Sequence, residues 1–549
     1  MKKQPRCRTT LANQTPLTSA YTFQPSKQPL ENHILMTTIN NIPDASLRNI
    51  LTSGLLIKAQ LPPQPYEARL VLSSVCSKWR NIILTDPAFW QNIVFQPLPL
   101  FKNPLNLFSL ANTWLTRSGC LPLSLEFNEK LQYYLEKGRK PKYMVHFLFG
   151  GLNFNAFYAK VISGHAARIR WLTCNLITKA TITSFLSIPS ESFQNLEAIS
   201  IRFMDEITLP SSLKLFTVTE RGKFKVFCSL PQLRNVVLEI CVGSGMRPLY
   251  IELPWHQLTS LQMDKTPICP KYFLKILEKT SPSLVDGFFN IMFGARSTLV
   301  PNGYLTLVAA PRLESLRLRL INPSADPRLF KFVRLPALRT LWVELVDVKK
   351  GWDMGLYKSL LLHSTNTLHS LALCNPPAAN LNLQSRGLKE NDRSLLRLAV
   401  KLEALLYAIN NVATLRLPAG LYIGSTTLKK IASGELLPLL RHLKVSSTSI
   451  TATGILAVVR KRYENFICAL HAASTSQDRK SVPPFSLFSV DLTTVWVGKR
   501  RTASSKGWQE VHGYLCYGTC IRFIDEWLTK VDWIETIFLR VFTTITLFY

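Results

Sequence analysis

The chain lacks the sequence features on which most enzyme classes depend. Its 549 residues contain no Gly-x-x-x-x-Gly-Lys-[Ser/Thr], Gly-x-Gly-x-x-Gly or Gly-x-Ser-x-Gly segment, the loops that cradle phosphates or present a serine nucleophile. Paired Cys-x-x-Cys motifs are missing too. His512, Cys516 and Cys520 share helical spacing, but three ligands without a fourth fall short of a zinc site. We therefore expect no catalytic residue, cofactor or metal.

Acidic residues are also scarce. The chain has 34 of them against 65 basic ones, a formal net charge of +31, which favours partners with acidic surfaces. The basic clusters at 137–142, 460–462 and 499–501 are typical of solvated loops. A nuclear localisation signal and contacts with phosphate are the alternative roles for such clusters. Aromatic residues are not interleaved with these clusters, so nucleic acid is not an expected partner.

No segment has the pattern of a secretory signal or a membrane anchor. The basic start of the chain, 1–32, is broken by Gln, Pro, Thr and Ser, which interrupts the apolar core that a signal peptide needs. The most apolar stretch, 534–549, is short and contains Glu535 and Arg540, so no membrane span is expected. An odd number of scattered cysteines, 11 in all, indicates a reducing compartment, the cytoplasm and/or the nucleus.

What the sequence does contain begins with a helical pattern over Ile42 to Phe95. Pro43 and Asp44 are typical of a first helical turn. Further along, Leu72, Val75, Cys76, Trp79, Ile82 and Ile83 recur at the spacing of one helix face. The segment Thr85-Asp86-Pro87 is expected to end that helix. Between the two helices, residues 60–65 read as a Pro-rich loop insertion, which is entropically cheap.

The combination of Ile42-Pro43-Asp44, Val75-Cys76, Trp79-Arg80 and Pro87-x-x-Trp90 resembles an F-box. This three-helix module docks onto the Skp-type adaptor of cullin ubiquitin ligases. Ala45 departs from the acidic residue that is frequent in the family. The resemblance implies an adaptor-binding set of Ile42, Pro43, Leu47, Ile50, Leu51, Leu72, Val75, Cys76, Trp79 and Trp90.

A second pattern, the hexad L-x-x-L-x-L with aliphatic substitutes, fills most of the chain. Short buried strands produce it, because alternate residues face one core. Intervals of 25 residues, as from Leu233 to Leu258, are close to leucine-rich-repeat periods. Weaker copies start at Ile169, Leu213 and Leu284. The eight clear hexads are Leu196-Ile199-Ile201, Leu233-Val236-Leu238, Leu258-Leu261-Met263, Leu313-Leu316-Leu318, Leu338-Leu341-Val343, Leu368-Leu371-Leu373, Val412-Leu415-Leu417 and Leu440-Leu443-Val445.

These patterns predict an α/β chain in which a three-helix F-box precedes an irregular leucine-rich-repeat solenoid of parallel strands and intervening helices. The expected divisions are a polar tail at 1–40, the F-box at 41–98, the repeats at 99–455 and a region of uncertain structure at 456–549. Residues 111–125 and 253–259 resemble stretches of a large group of mushroom-type fungal F-box proteins, so the resemblance covers about Ile42 to Val445.

The resemblance implies a substrate receptor of a Skp/cullin/F-box ligase whose repeats hold a protein substrate. Outward positions between the hexad leucines are the candidate contacts: Arg317, Arg319, Trp342, Glu344, His369 and Lys444. Because arginine pairs with carboxylate and phosphate, we expect an acidic or phosphorylated substrate segment. Two alternatives stay open: a repeat scaffold with a decayed F-box, and a basic nucleic-acid-associated protein.

Overall fold

The computed structural model describes 18 segments and four single positions of the chain. They are residues 41–54, 58–63, 66–96, 104–128, 154–176, 188–203, 227–240, 251–294, 307–323, 327–346, 352, 354–375, 393–418, 421, 423–447, 458, 461–462, 464–465, 468, 489–494, 519–520 and 542–543.

Nine α-helices and five short 3-10 turns have their bounds within the described part of the chain. Their bounds are α1 (Asp44–Gly54), α2 (Ala68–Ser73), α3 (Ser77–Thr85), α4 (Pro104–Arg117), α5 (Phe154–His165), α6 (Pro270–Thr280), α7 (Met354–Leu361), α8 (Arg393–Ala408) and α9 (Ser425–Ser433). The 3-10 turns are Pro87–Trp90, Ala166–Arg168, Ser190–Ser192, Trp255–Gln257 and Pro327–Phe332.

The strands are distributed among these helices along the chain, with several strands in succession in places. They are β1 (Ala59–Leu61), β2 (Asn92–Phe95), β3 (Leu123–Asn128), β4 (Ile169–Leu176), β5 (Ala198–Phe203), β6 (Asn235–Ile240), β7 (Ser260–Ile268), β8 (Asp286–Met292), β9 (Val308–Ala309), β10 (Ser315–Ile321), β11 (Val333–Arg334), β12 (Thr340–Leu345), β13 (Ser370–Cys374), β14 (Thr414–Leu417), β15 (His442–Ser447), β16 (Ser489–Thr494), β17 (Thr519–Cys520) and β18 (Phe542–Thr543).

One parallel sheet organises the fold. It has 14 strands, and their order across the sheet is their order along the chain. Two short pairs lie outside it, the parallel pair β9 and β11 and the antiparallel pair β17 and β18. Each strand of the sheet between the edge strands β1 and β16 therefore pairs with the sheet strand before it and the one after it. This arrangement is that of a solenoid-like α/β fold, in which each unit contacts only its neighbours. The expected α/β class with parallel strands is confirmed.

The alternation of buried and open residues explains why the hexads form these strands. In β10, Leu316, Leu318 and Leu320 are buried while Arg317 points to the other face. The first hexad leucine, Leu313, is buried in the turn before the strand. All eight predicted hexads end in strands of the sheet, and so do the weaker copies at Ile169 and Leu284. Leu213 lies outside the described residues.

Helices pack on the leucine face of the sheet. The helix α6 buries Phe273 and Leu277, and the Phe273 ring lies 5.2 Å from that of Phe289 in β8. Pro270 occupies its first turn, where a missing N–H costs nothing. A fully buried leucine or phenylalanine contributes about 1.5–3 kcal/mol, so the continuous row of apolar side chains is the main source of stability. We call the opposite face of the sheet the open face.

The N-terminal segment departs from the predicted layout in two ways. The stretch read as a loop insertion contains part of β1, because Ala59 and Leu61 are buried where β1 pairs with β2. The predicted single helix over 72–83 is wrong. Ser74 and Val75 form a turn, so α2 and α3 are separate helices.

Other local predictions hold. The first helix begins at Asp44, with the Leu47 amide donating to the Pro43 carbonyl at 2.9 Å. The third helix ends at Thr85, and the Asp86 carboxylate accepts a hydrogen bond from the Ala88 amide at 3.0 Å. The strand β2 lies before the predicted division at residue 98 and β3 lies after it. Because these two strands pair, one sheet includes strands from both sides of that division.

The sheet also continues past residue 455. The strand β16 pairs with β15, and Arg462 is buried against the preceding unit. Its guanidinium donates to the carbonyls of Ile431, Leu437 and Leu440 at 2.7–2.9 Å. Burial lowers the pKa of Arg462 to about 10. Arg462, which belongs to the predicted 460–462 basic cluster, therefore binds backbone carbonyls of the preceding unit and is not a solvated charge.

Among the helices that the structure describes, none combines the length and the apolar character needed to cross a lipid bilayer.

Candidate docking surfaces

The helices of residues 41–96 are held together by a small core and by ion pairs. Leu47 and Leu51 of α1 are fully buried. The Lys78 ammonium lies 3.0 Å from the Asp44 carboxylate and donates to the Ile42 carbonyl at 2.7 Å. Since Lys78 belongs to α3, these contacts fix the start of α1 against that helix.

A buried ion pair positions the start of α2. Glu67 and Arg69 are both almost fully buried, with Arg69 Nη1 2.8 Å from Glu67 Oε1. Arg69 Nε donates to the Phe89 carbonyl at 2.7 Å, and Glu67 Oε2 accepts from the Gln60 amide at 3.3 Å. Burial lowers the pKa of Arg69, although Glu67 opposes that shift. The pair thereby ties α2 to β1 and to the Pro87–Trp90 turn.

Large apolar side chains remain exposed on these tightly held helices. Ile50 on α1 is 56% exposed and Val75, just after α2, is 42% exposed. We call the whole set the helical patch: Ile50, Tyr66, Leu70, Val71 and Val75. All five residues lie on or directly beside α1 and α2, and contiguous exposed apolar surface is typical of sites that a partner covers.

The predicted adaptor-binding residues fall into three groups in the structure. Pro43, Ile50 and Val75 are exposed, whereas Ile42, Leu72, Cys76 and Trp79 are half-buried. Leu47, Leu51 and Trp90 are buried in the core. The Trp90 indole donates to the Ile83 carbonyl at 2.8 Å and its ring packs 5.2 Å from that of Trp114.

Sequence reasoning missed three members of the helical patch, Tyr66, Leu70 and Val71. The adjacent pair Leu70-Val71 was the available signal, because with Leu72 it makes the apolar surface of α2 too wide for one buried face.

The open face carries a second group of candidate residues near its middle. Across neighbouring strands, Arg317 is in register with Trp342, then Ala372, Arg416 and Lys444. The Arg317 and Arg416 guanidiniums lie 5.6 Å and 6.0 Å from the centre of the Trp342 ring. Both distances are within the range of a cation–π contact. The small Ala372 side chain leaves room for Trp342 and Arg416 to approach each other.

The next row along these strands is also polar. Asn290 is in register with Arg319, and Arg319 with Glu344. Arg319 Nε lies 3.7 Å from Glu344 Oε1, a separation too long for a good hydrogen bond. We call the residues of both rows the Trp342 cluster: Asn290, Arg317, Arg319, Trp342, Glu344, Arg416 and Lys444.

A buried cysteine adjoins this cluster. Burial raises the pKa of the Cys374 thiol, while the nearby charge of Arg416 and a weak contact with the Trp342 indole oppose the rise. The thiol is therefore not activated as a nucleophile. The side chains around Cys374 on the open face are thus charged and aromatic.

The structure brings together five of the six predicted substrate contacts, Arg317, Arg319, Trp342, Glu344 and Lys444. His369 is separate from them. It lies in the turn before β13, where its amide donates to the Arg339 carbonyl at 2.8 Å and its ring contacts the Thr367 carbonyl. Its side chain belongs to the amino-terminal edge of the sheet because it precedes the strand. Arg416 and Asn290 were missed, although Arg416 stands between two hexad leucines.

Neither a metal site nor a known relative gives further guidance. No group of three potential metal ligands occurs among the residues that the structure describes, and the side chains of His512, Cys516 and Cys520 lie outside them. Comparison with known proteins found no protein-family model that matches the chain and no curated protein with significant similarity to it.

Proposed function

We propose that the chain is a substrate receptor of a Skp/cullin/F-box ubiquitin ligase, acting in the cytoplasm and/or the nucleus. In this proposal, residues 41–98 are an F-box that docks onto the adaptor through the helical patch. The sheet is an irregular leucine-rich-repeat solenoid whose open face holds the substrate. The chain itself contributes no catalysis. It accelerates ubiquitin transfer by raising the effective concentration of substrate near the ubiquitin-carrying enzyme.

The coincidence of an F-box-like sequence with exposed apolar side chains carries this proposal. Residues 41–98 place Leu47, Leu51 and Trp90 in a core, yet Ile50 and Val75 stay exposed. An isolated helical segment would gain nothing from these exposed positions. A partner that covers them would gain about 25 cal/mol for each Å² of apolar surface that it removes from water.

The solenoid supports the second half of the proposal. Parallel strands that follow chain order and carry L-x-x-L-x-L hexads are the features of leucine-rich repeats. Such arrays present one open face of outward side chains along many strands. Here that face contains charged and aromatic residues rather than an inert polar surface.

Capture of the adaptor tests the proposal directly. The full chain is incubated with the Skp-type adaptor of its source organism, beside an Ile50→Asp/Val75→Asp double variant and a Val400→Asp control. Val400 is 70% exposed on α8, so the control introduces one aspartate at an exposed apolar position outside residues 41–98. Thermal melting of each variant confirms that it is folded.

We expect the wild type and Val400→Asp to capture the adaptor and the double variant to lose capture. Folded wild type that captures no adaptor would overturn the proposal and favour the repeat scaffold with a decayed F-box. Equal capture by all three proteins would show that the helical patch is not the docking surface.

A further inference from the structure

Buried polar atoms without partners concentrate in the Trp342 cluster. In the described part of the chain, such side-chain atoms occur at Trp79, Asn290, Arg319 and Trp342. Three of these four residues lie on the open face of the neighbouring strands β8, β10 and β12. An unsatisfied buried polar group costs about 1–3 kcal/mol, and native proteins contain few of them. Their concentration at one place indicates that a ligand completes the hydrogen bonding.

Asn290 is the most deeply buried of the three. It is only 6% exposed, and its Oδ1 has no hydrogen-bond partner among the described residues. Arg319 Nε beside it is likewise without one. The Trp342 indole N–H has only the thiol of Cys374 close by, which is a weak acceptor. The Arg319 and Trp342 atoms are donors and require an acceptor-rich partner. Asn290 Oδ1 is an acceptor, so it contributes no hydrogen bond to such a partner.

We propose that the Trp342 cluster binds a phosphoryl group carried by a protein side chain. The identity of the carrier rests on the proposed function, since a ligase receptor binds a protein substrate. The site itself rests on the geometry of the open face.

The charges of the cluster fit a dianion. Four cationic residues, Arg317, Arg319, Arg416 and Lys444, lie on this part of the open face. Two acidic residues are in register with members of this set, Glu344 with Arg319 and Asp491 with Lys444. Arg317 and Arg416 form no ion pair within the described segments; each has the Trp342 ring as its neighbour. A phosphoryl group carries a charge of about −1.5 to −2 and three strong acceptor oxygens. Guanidinium forks bind such oxygens through pairs of hydrogen bonds.

The tryptophan between the arginines adds preorganisation. A guanidinium that lies over an indole loses side-chain freedom before the ligand arrives, so less entropy is lost on binding. In register, Arg317 is one strand from Trp342 and Arg416 is two strands away on the other side. The two guanidinium groups therefore reach the Trp342 ring from strands on its two sides.

A nucleic-acid strand fits this face less well. Acidic residues interrupt the open face at Glu126, Glu239 and Glu344, whereas a nucleic-acid backbone needs a continuous basic groove. The Trp342 ring, moreover, is already occupied by guanidiniums and offers no free platform for base stacking.

Isothermal titration of the full chain tests this site. The probe is a short capped glycine–serine peptide with one central phosphoserine, and its comparators are the unphosphorylated peptide and a single-stranded oligonucleotide. An Arg317→Gln/Arg416→Gln variant removes both forks. Arg334→Gln is the matched control, because Arg334 is exposed on β11 outside the main sheet.

We expect the phosphopeptide to bind and the unphosphorylated peptide not to bind. The double variant should raise the Kd at least about tenfold, as expected for the loss of charge-assisted hydrogen bonds. The Arg334→Gln control should change it by less than about twofold. Equal affinity for both peptides, no effect of the double variant, or tighter binding of the oligonucleotide would each overturn the site.

Adaptor capture by the same double variant separates the two proposals. We expect it to equal wild-type capture, because the substitutions lie outside residues 41–98. Adaptor capture without phosphopeptide binding would overturn the phosphoryl site and leave the receptor function standing. Phosphopeptide binding without adaptor capture would do the reverse.

Discussion

The helical patch and the Trp342 cluster are built from opposite chemistry on different scaffolds. The patch exposes aliphatic side chains such as Ile50 and Val71 on short helices. The cluster presents guanidiniums and an indole on strands whose register is fixed by their neighbours. Strand register holds side chains at fixed separations, which suits recognition of a small charged group. An apolar patch instead gains affinity from the area that a partner covers.

The same contrast applies to the two kinds of tryptophan in the molecule, and it predicts the largest effect. Trp90 is fully buried against Trp114, whereas Trp171 is 50% exposed on the open face. We expect Trp90→Ala to lower the free energy of unfolding by about 3–5 kcal/mol, the cost of a large core truncation. Trp171→Ala should lower it by less than about 1 kcal/mol.

Chemical denaturation followed by circular dichroism measures this difference. Near-equal losses for the two variants would show that residues 87–95 do not belong to the core of the sheet. The comparison also separates folding from docking, because loss of adaptor capture by Trp90→Ala would then reflect a lost fold and not a lost contact.

The division of the predicted docking set shows what periodicity can and cannot establish. The hexads predicted the strands because, when side chains alternate between two faces, only one strand register places all the hexad leucines in the core. Helical spacing over 72–83 could not reveal the break at Ser74 and Val75, since apolar spacing continues across it. The family resemblance, which implied the adaptor-binding set, likewise placed Leu47 and Trp90 together with Ile50, although only Ile50 of these three is exposed.

Long-range contacts account for the other misses. Arg462 belongs to a run of three basic residues that reads as a solvated loop, yet its guanidinium satisfies carbonyls of residues more than 20 positions earlier. Asn290 gave no local signal, because its unpaired Oδ1 depends on strand pairing with Arg319. The sequence could therefore predict the fold class and most outward arginines, but not which polar atoms remain unsatisfied.

The second prediction, intermediate in size, is that salt weakens ligand binding at the Trp342 cluster more than adaptor binding at the helical patch. Raising NaCl from about 0.1 M to about 0.5 M shortens the Debye length from about 10 Å to about 4 Å. We expect the Kd for the phosphopeptide to rise about fivefold to tenfold, whereas adaptor affinity should change less than about twofold. Parallel titrations of both ligands measure this. Equal salt dependence would contradict the assignment of apolar docking to one surface and ionic recognition to the other.

The smallest predicted effect concerns a third part of the open face, where the carboxylate of Glu239 already forms ion pairs with the neighbouring cations. Glu239 Oε1 lies 2.9 Å from both Arg202 Nη2 and Lys265 Nζ. Burial alone would raise the pKa of Glu239, but the hydrogen bonds and charges of these two residues lower it overall. The ionised carboxylate therefore stabilises the folded state above the pKa of the unfolded chain. This contribution is lost as the pH falls through the lower, folded-state pKa.

We expect Glu239→Gln to lower stability at neutral pH by less than about 1 kcal/mol, since Lys265 is about half exposed. The variant should also lose less stability than wild type on acidification below about pH 4, the ordinary range of glutamate titration. Denaturation midpoints at neutral and acidic pH, with Glu278→Gln on the exposed side of α6 as control, measure this difference. Identical acid sensitivity of wild type and Glu239→Gln would mean that Glu239 is not held by its cations in solution. Arg202 and Lys265 would then be as open to an external anion as Arg317 and Arg416, which lie beside the Trp342 ring. The contrast between these two parts of the open face would disappear.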